Sequence, residues 1–116
     1  MSSLSDSLIL QVLKRLTQGL TWESETNAPF RVGGFNHLDR SNVVSVSTVE
    51  DFFRPALNRE EFADRFKALL TWIKQSLRRV KVYKIKTDQP SVFEIYIVGI
   101  SYAGNYLGLN TQVVET

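Results

Sequence analysis

Val92-Phe93-Glu94-Ile95-Tyr96-Ile97-Val98-Gly99-Ile100 is apolar at almost every position. Its β-branched and aromatic residues suit a pleated strand. A strand without the in-out alternation of a half-solvated sheet is usually covered on both faces. The run therefore predicts an interior strand with helices on both sides of the sheet. The fold class that follows is α+β, built as a three-layer α-β-α sandwich. Upstream of the run, Thr87-Asp88-Gln89-Pro90-Ser91 reads as a turn and Val82–Lys86 as a second strand.

Two stretches carry helical periodicity. The long one is predicted to begin at Asn58, whose side chain can cap, with Glu60 and Glu61 at the positive end of the helix dipole. Phe62, Phe66, Leu69, Leu70, Ile73 and Leu77 form its apolar stripe, and Asp64, Lys67, Thr71 and Lys74 face away. The other is the N-terminal stretch, where Leu4, Leu8, Ile9, Leu13, Leu16 and Leu20 recur at helical spacing. Ser3 or Ser5 can cap it, and Gly19 fits its C-terminal end.

Between these helices the signals are shorter. Thr21–Pro29 is polar and ends in proline, which predicts a loop. Phe30–Val32 and Val43–Val46 are strand candidates, with a turn or bulge at Gly33-Gly34. Ser47-Val49-Glu50 carries capping-box spacing, so a brief helix is predicted from Val49 to Arg54, stopping at Pro55. Composition alone makes Ser101–Thr116 a glycine-rich turn followed by an edge strand.

A length of 116 residues suits one domain spanning 1–116. No apolar run approaches the roughly 18–20 residues that cross a bilayer. Met1-Ser2-Ser3-Leu4-Ser5-Asp6 lacks the basic and apolar start of a secretory signal, so the cytoplasm is the expected location. With no cysteine and one histidine, His37, thiolate zinc sites, cysteine nucleophiles and multi-histidine metal sites are excluded.

The net charge of +2 is unevenly spread. Residues Arg65–Lys86 hold eight of the 14 basic residues and none of the 12 acidic ones, leaving six bases against twelve acids elsewhere. Such asymmetry suits a basic face for nucleic acid or an acidic face for a basic partner, and equally an ordinary solvated surface. Trp72 and Tyr83 lie in the basic block without evident stacking spacing, which favours core positions for both. Glu23 and Glu25 are paired loop carboxylates with Ser24 between them, and an isolated E-x-E is most often a solvated acidic loop. His37 with Asp39 lacks a neighbouring nucleophile or second ligand. Gly33-Gly34 is no phosphate loop, since no lysine or helix pattern follows it.

The C-terminal segment carries Val98-Gly99, Ala103-Gly104-Asn105, Gly108 and Val113-Val114-Glu115-Thr116. Together these closely resemble the ending of the nuclease A inhibitor family, small proteins that block sugar-non-specific endonucleases. Gly19-Leu20, Ser24-Glu25 and Pro29-Phe30 extend the resemblance. So do Asp51-Phe52-Phe53 and the long helix through Phe66 and Leu77. It covers nearly the whole chain in order.

The resemblance implies a three-layer sandwich similar to the pathogenesis-related protein fold, and a protein that plugs a nuclease cleft in a one-to-one complex. It implies that Glu25 and Thr116 approach the partner's catalytic metal, with Glu23, Ser24 and Glu115 beside them. A hard cation prefers oxygen ligands, which a carboxylate, a hydroxyl and a terminal carboxylate all supply. No metal or cofactor of its own, no enzyme activity and no membrane contact are implied. The chain departs from the family's acidic character, and its short segment between Phe53 and Glu61 lacks the acidic, tryptophan-containing loop associated with the family. The alternative function is a nucleic-acid-binding module using the Arg65–Lys86 face. A small hydrolase using Glu23, Glu25 and His37 would want a nucleophile.

Overall fold

The computed structural model describes residues 4–59 and 61–116. Helix α1 spans Asp6–Thr17, capped by the Ser5 hydroxyl, which accepts from Leu8 N at 3.1 Å. Ile9 and Leu13, a turn apart, are fully buried. Gly19, at φ +71°, follows the helix end, where a left-handed residue is cheap only for glycine. The Arg65 guanidinium donates to the carbonyls of Leu16 (3.2 Å) and Gln18 (2.6 Å), satisfying acceptors that the helix end leaves over. Ser3 lies outside the described residues.

The polar stretch expected to be a loop is a hairpin. Strands β1 (Thr21–Glu23) and β2 (Asn27–Pro29) pair antiparallel, with Trp22 opposite Ala28. Both central residues are buried and their neighbours exposed, a period-2 pattern too short to read among polar residues. Trp22 pins the hairpin. It stacks on Phe52 at 4.3 Å between ring centroids and meets Phe30, Phe53 and Phe66 edge-on.

Strand β3 is Arg31–Gly34 and β4 is Val43–Ser47. Gly33 and Gly34 are therefore ladder residues, paired with Gly108 and Leu107, rather than a turn. Helix α2 spans Val49–Leu57. Its cap is Thr48, whose hydroxyl accepts from Asp51 N at 3.1 Å, one residue later than the expected Ser47. Thr48→Ala is expected to cost about 1 kcal/mol of stability, read from the urea midpoint. An unchanged midpoint would show the cap to be idle.

Pro55 does not stop α2, which runs two residues further. The proline ring is exposed, while Phe53 and Ala56 are buried, and their packing offsets the missing hydrogen bond. Asn58 is accordingly the C-cap of α2 and not the start of the long helix. That helix, α3, spans Ala63–Ser76 and follows a left-handed Phe62 (φ 64°) that makes no side-chain cap. Phe62 drops out of the predicted stripe and is half exposed, whereas Phe66, Leu69, Ile73 and Leu77 are buried as expected. Glu60 lies outside the described residues.

Strand β5 spans Arg78–Lys86, β6 spans Val92–Ile100 and β7 spans Tyr106–Val114. The five-stranded antiparallel sheet has the order β3-β7-β6-β5-β4. β6 is interior with the predicted bounds. β7 is interior too, not an edge, because β3 pairs along its outer side. β5 begins earlier than expected, through a register shift between Arg78 and Lys81 where Arg79 takes φ +52°. β4 carries one extra residue, Val44, where its pairing with β5 shifts between Val43 and Ser45.

The strand register decides the layers. Phe93, Ile95 and Ile97 share a face with Leu107, Leu109, Val113 and Val82, and this face joins one core with all three helices. The expected helix layer on the other face is not seen among the described residues. Tyr83, Ile85 and Val98 on that face are nonetheless buried. The 35–42 loop covers part of it. Phe35 packs edge-on against Tyr96, and the Arg40 guanidinium lies 5.1 Å from the Tyr83 ring. Burial pushes the Tyr96 phenol above its ordinary pKa, and the nearby Glu94 carboxylate adds to the rise.

Candidate functional site

At the tip of the β1–β2 hairpin sit Ser24, Glu25 and Thr26. The tip is fastened to the end of β7 across the whole length of the chain. The Ser24 hydroxyl accepts from Val114 N at 3.0 Å and donates to Thr26 O at 3.3 Å. Glu25 N donates to Val114 O at 3.4 Å. Beyond the strand, the Thr116 hydroxyl donates to Glu25 Oε1 at 2.5 Å. Glu25 and Thr116, 91 residues apart, thus share one hydrogen bond at the surface.

The flanking carboxylates are differently placed. Glu23 pairs with Arg59, just past α2, and Glu115 pairs with Lys84 of β5. Among the described residues Glu25 has no cation within ion-pairing distance. Its charge is therefore left uncompensated by the described side chains, unlike those of Glu23 and Glu115. No group of three His, Cys, Asp or Glu side chains that could hold a metal occurs among the described residues.

Ser24 was singled out with the carboxylates as a contact residue, yet its hydroxyl is occupied within the protein. It positions its neighbours. Ser24→Ala is expected to cost about 1 kcal/mol of stability and to speed amide exchange at Val114. Unchanged exchange there would remove this role. From sequence Arg59 carries no signal and Lys84 only its place in the basic block. Their partners, Glu23 on β1 and Glu115 just past β7, are distant in sequence, and no local spacing joins them.

The basic block is spread out. Arg65 caps α1, Lys84 meets Glu115, and Lys74 pairs with Glu50 at 3.1 Å. Glu50 is held below the usual carboxylate range by its own backbone N–H and then by Lys74. Trp72 packs against the core with its indole N–H on Ile9 O at 3.4 Å, and Tyr83 is buried. Neither offers a free ring to a nucleobase. Asp39 accepts from the hydroxyl and backbone N–H of Ser41, which hold its pKa below the ordinary value. His37 is left without the orienting carboxylate that a base would use.

Ala103-Gly104-Asn105 has a structural task. Gly104 turns at φ +87°, and Asn105 Nδ2 donates to Asp6 at 2.8 Å, tying the β6–β7 turn to the start of α1. No curated protein matches the chain. The family model described as nuclease A inhibitor-like protein matches residues 35–116, which takes in β4 to β7 and Thr116 but leaves Glu23, Ser24 and Glu25 outside the matched span. With most of its length matched, the chain belongs to the nuclease A inhibitor-like family.

Proposed function

We propose that this protein inhibits a metal-dependent, sugar-non-specific endonuclease by inserting the Glu25–Thr116 tip into its active-site cleft as a one-to-one complex. The family is one of inhibitors, and the chain is not an enzyme. The observation that carries the proposal is the hydrogen bond from Thr116 to the Glu25 carboxylate, which has no cationic partner among the described residues. A nuclease cleft is shaped for a phosphate anion next to a hard cation, and such cations take oxygen ligands. The tip presents carboxylate and hydroxyl oxygens together and offers no ester bond to cut. Glu23 and Glu115, each tied to a cation of the protein's own, frame the tip.

The test is inhibition of DNA and RNA cleavage by a purified sugar-non-specific endonuclease, with the full chain added in equimolar steps. Stoichiometric loss of both activities is expected. If cleavage continues at large excess of the protein, the proposal fails. A sub-micromolar affinity of the protein for DNA itself, well beyond the roughly 10⁻⁴–10⁻⁶ M of non-specific contacts, would favour the nucleic-acid reading instead.

A further inference from the structure

Beside the tip, a cleft of about 340 Å³ opens between α2 and the β4–β5 side of the sheet. Trp22, Phe52, Ala56, Val82, Ile95 and Val113 give it an apolar lining, and Ser45 and Ser47 add hydroxyls from β4. Its mouth holds two cations, each closed by a carboxylate from a neighbouring segment: Arg59 by Glu23 and Lys84 by Glu115. Lys84 is the more confined. Its side chain is 27% exposed, and its Nζ lies 4.5 Å from the centre of the Phe93 ring. Glu115 is half exposed, lies past the end of β7, and is held by a backbone hydrogen bond to Ser91 O.

A confined ammonium beside an apolar wall favours an anion, because few waters can solvate it there. Glu115 meets that need from a surface position, so another carboxylate can take its place at little cost. The cleft's volume lies in the range of small-molecule sites, and its lining is of the usual kind, apolar with a few convergent polar groups. We infer that this cleft binds a small amphipathic carboxylate, an aryl- or alkyl-substituted acid. Its carboxylate replaces Glu115 on Lys84, and its apolar body lies against Trp22, Phe52 and Val82. A neutral molecule would leave Lys84 with Glu115. The inference does not depend on nuclease inhibition.

The probe is 4-phenylbutyrate, titrated into the full chain and followed by NMR at the Trp22 indole and the amides of Ser45 and Val113. A ligand of this size at ordinary efficiency binds with a dissociation constant of about 1 mM or below. The uncharged 4-phenylbutanol should bind about tenfold more weakly, and Lys84→Gln should weaken the acid by about tenfold. Glu115→Gln removes the internal competitor and should tighten binding by about two- to fivefold. Ser45→Phe, at an exposed strand position, should block the cleft, and it carries the test if Lys84→Gln fails to fold. Absence of saturable shifts up to about 10 mM would overturn the site. Equal affinity for acid and alcohol, or weaker binding by Glu115→Gln, would overturn the role of Lys84.

Discussion

Gly108→Ala is expected to lose on the order of 4 kcal/mol of folding free energy, a large share of what a domain of this size has. Gly108 lies in β7 between Gly33 of β3 and Val98 of β6. A Cβ placed on it would overlap the Ile97 carbonyl oxygen and lie 2.8 Å from the carbonyl carbon and 3.1 Å from Val98 Cα. These are backbone atoms of the central strand, so relief requires β6 and β7 to part. Gly33, its register partner, is the control. A Cβ there meets only the end of the Phe35 ring, at 4.0 Å. Gly33→Ala should leave stability unchanged or raise it by up to about 1 kcal/mol, through a stiffer unfolded chain. Urea unfolding of both variants makes the comparison. A Gly108→Ala midpoint equal to that of the wild type would mean that the strands accommodate the methyl group.

Glu25→Ala is expected to weaken inhibition of a sugar-non-specific endonuclease by about 2–5 kcal/mol, roughly 30-fold to several-thousand-fold in the inhibition constant. The range applies if the carboxylate is desolvated against a cation in the complex; a rim contact would lose far less. Thr116→Val keeps the shape of the side chain and removes the hydroxyl that Glu25 accepts from. About a tenfold loss is expected, the value of one hydrogen bond to a charged group. Both residues are exposed, so neither change should disturb folding. Two variants as potent as the wild type would place the contact surface elsewhere on the molecule.

Sequence reading went furthest where packing constrains every position. The run Val92–Ile100 has the predicted bounds because it is paired along both of its edges in the sheet. It did not tell what covers each face. The composition of the strand does not distinguish a helix layer from a loop such as the one that sets Phe35 on Tyr96 and Arg40 over Tyr83. Asn58 and Pro55 misled for a shared reason. Each is a local stop or start signal: the buried Phe53 and Ala56 carry α2 past Pro55, and Asn58 closes that helix instead of opening the next. The β1–β2 hairpin has one large apolar residue, Trp22, and three of its four aromatic partners, Phe52, Phe53 and Phe66, are distant in sequence. The candidate site was proposed only through the family resemblance. Nothing in the neighbourhood of Glu25 announces Thr116, and the hydroxyl of Ser24 looks the same whether it meets a partner or Val114. Gly108 stood out as a family feature, but its reason is the Ile97 carbonyl, which no sequence pattern displays.

The extra residue in β4 bears on how the protein behaves when crowded. β4 is an edge of the sheet, and Val44 and Val46 are 51% and 52% exposed. A flat, sticky rim of this kind is a template on which another chain can add a strand and begin cross-β growth. The bulge at Val44 breaks the even spacing of the outward N–H and C=O groups and increases the local twist. An incoming strand could match the rim on one side of Val44 but would fall out of step on the other. An irregularity one residue long thus makes this edge a poorer template for an added strand.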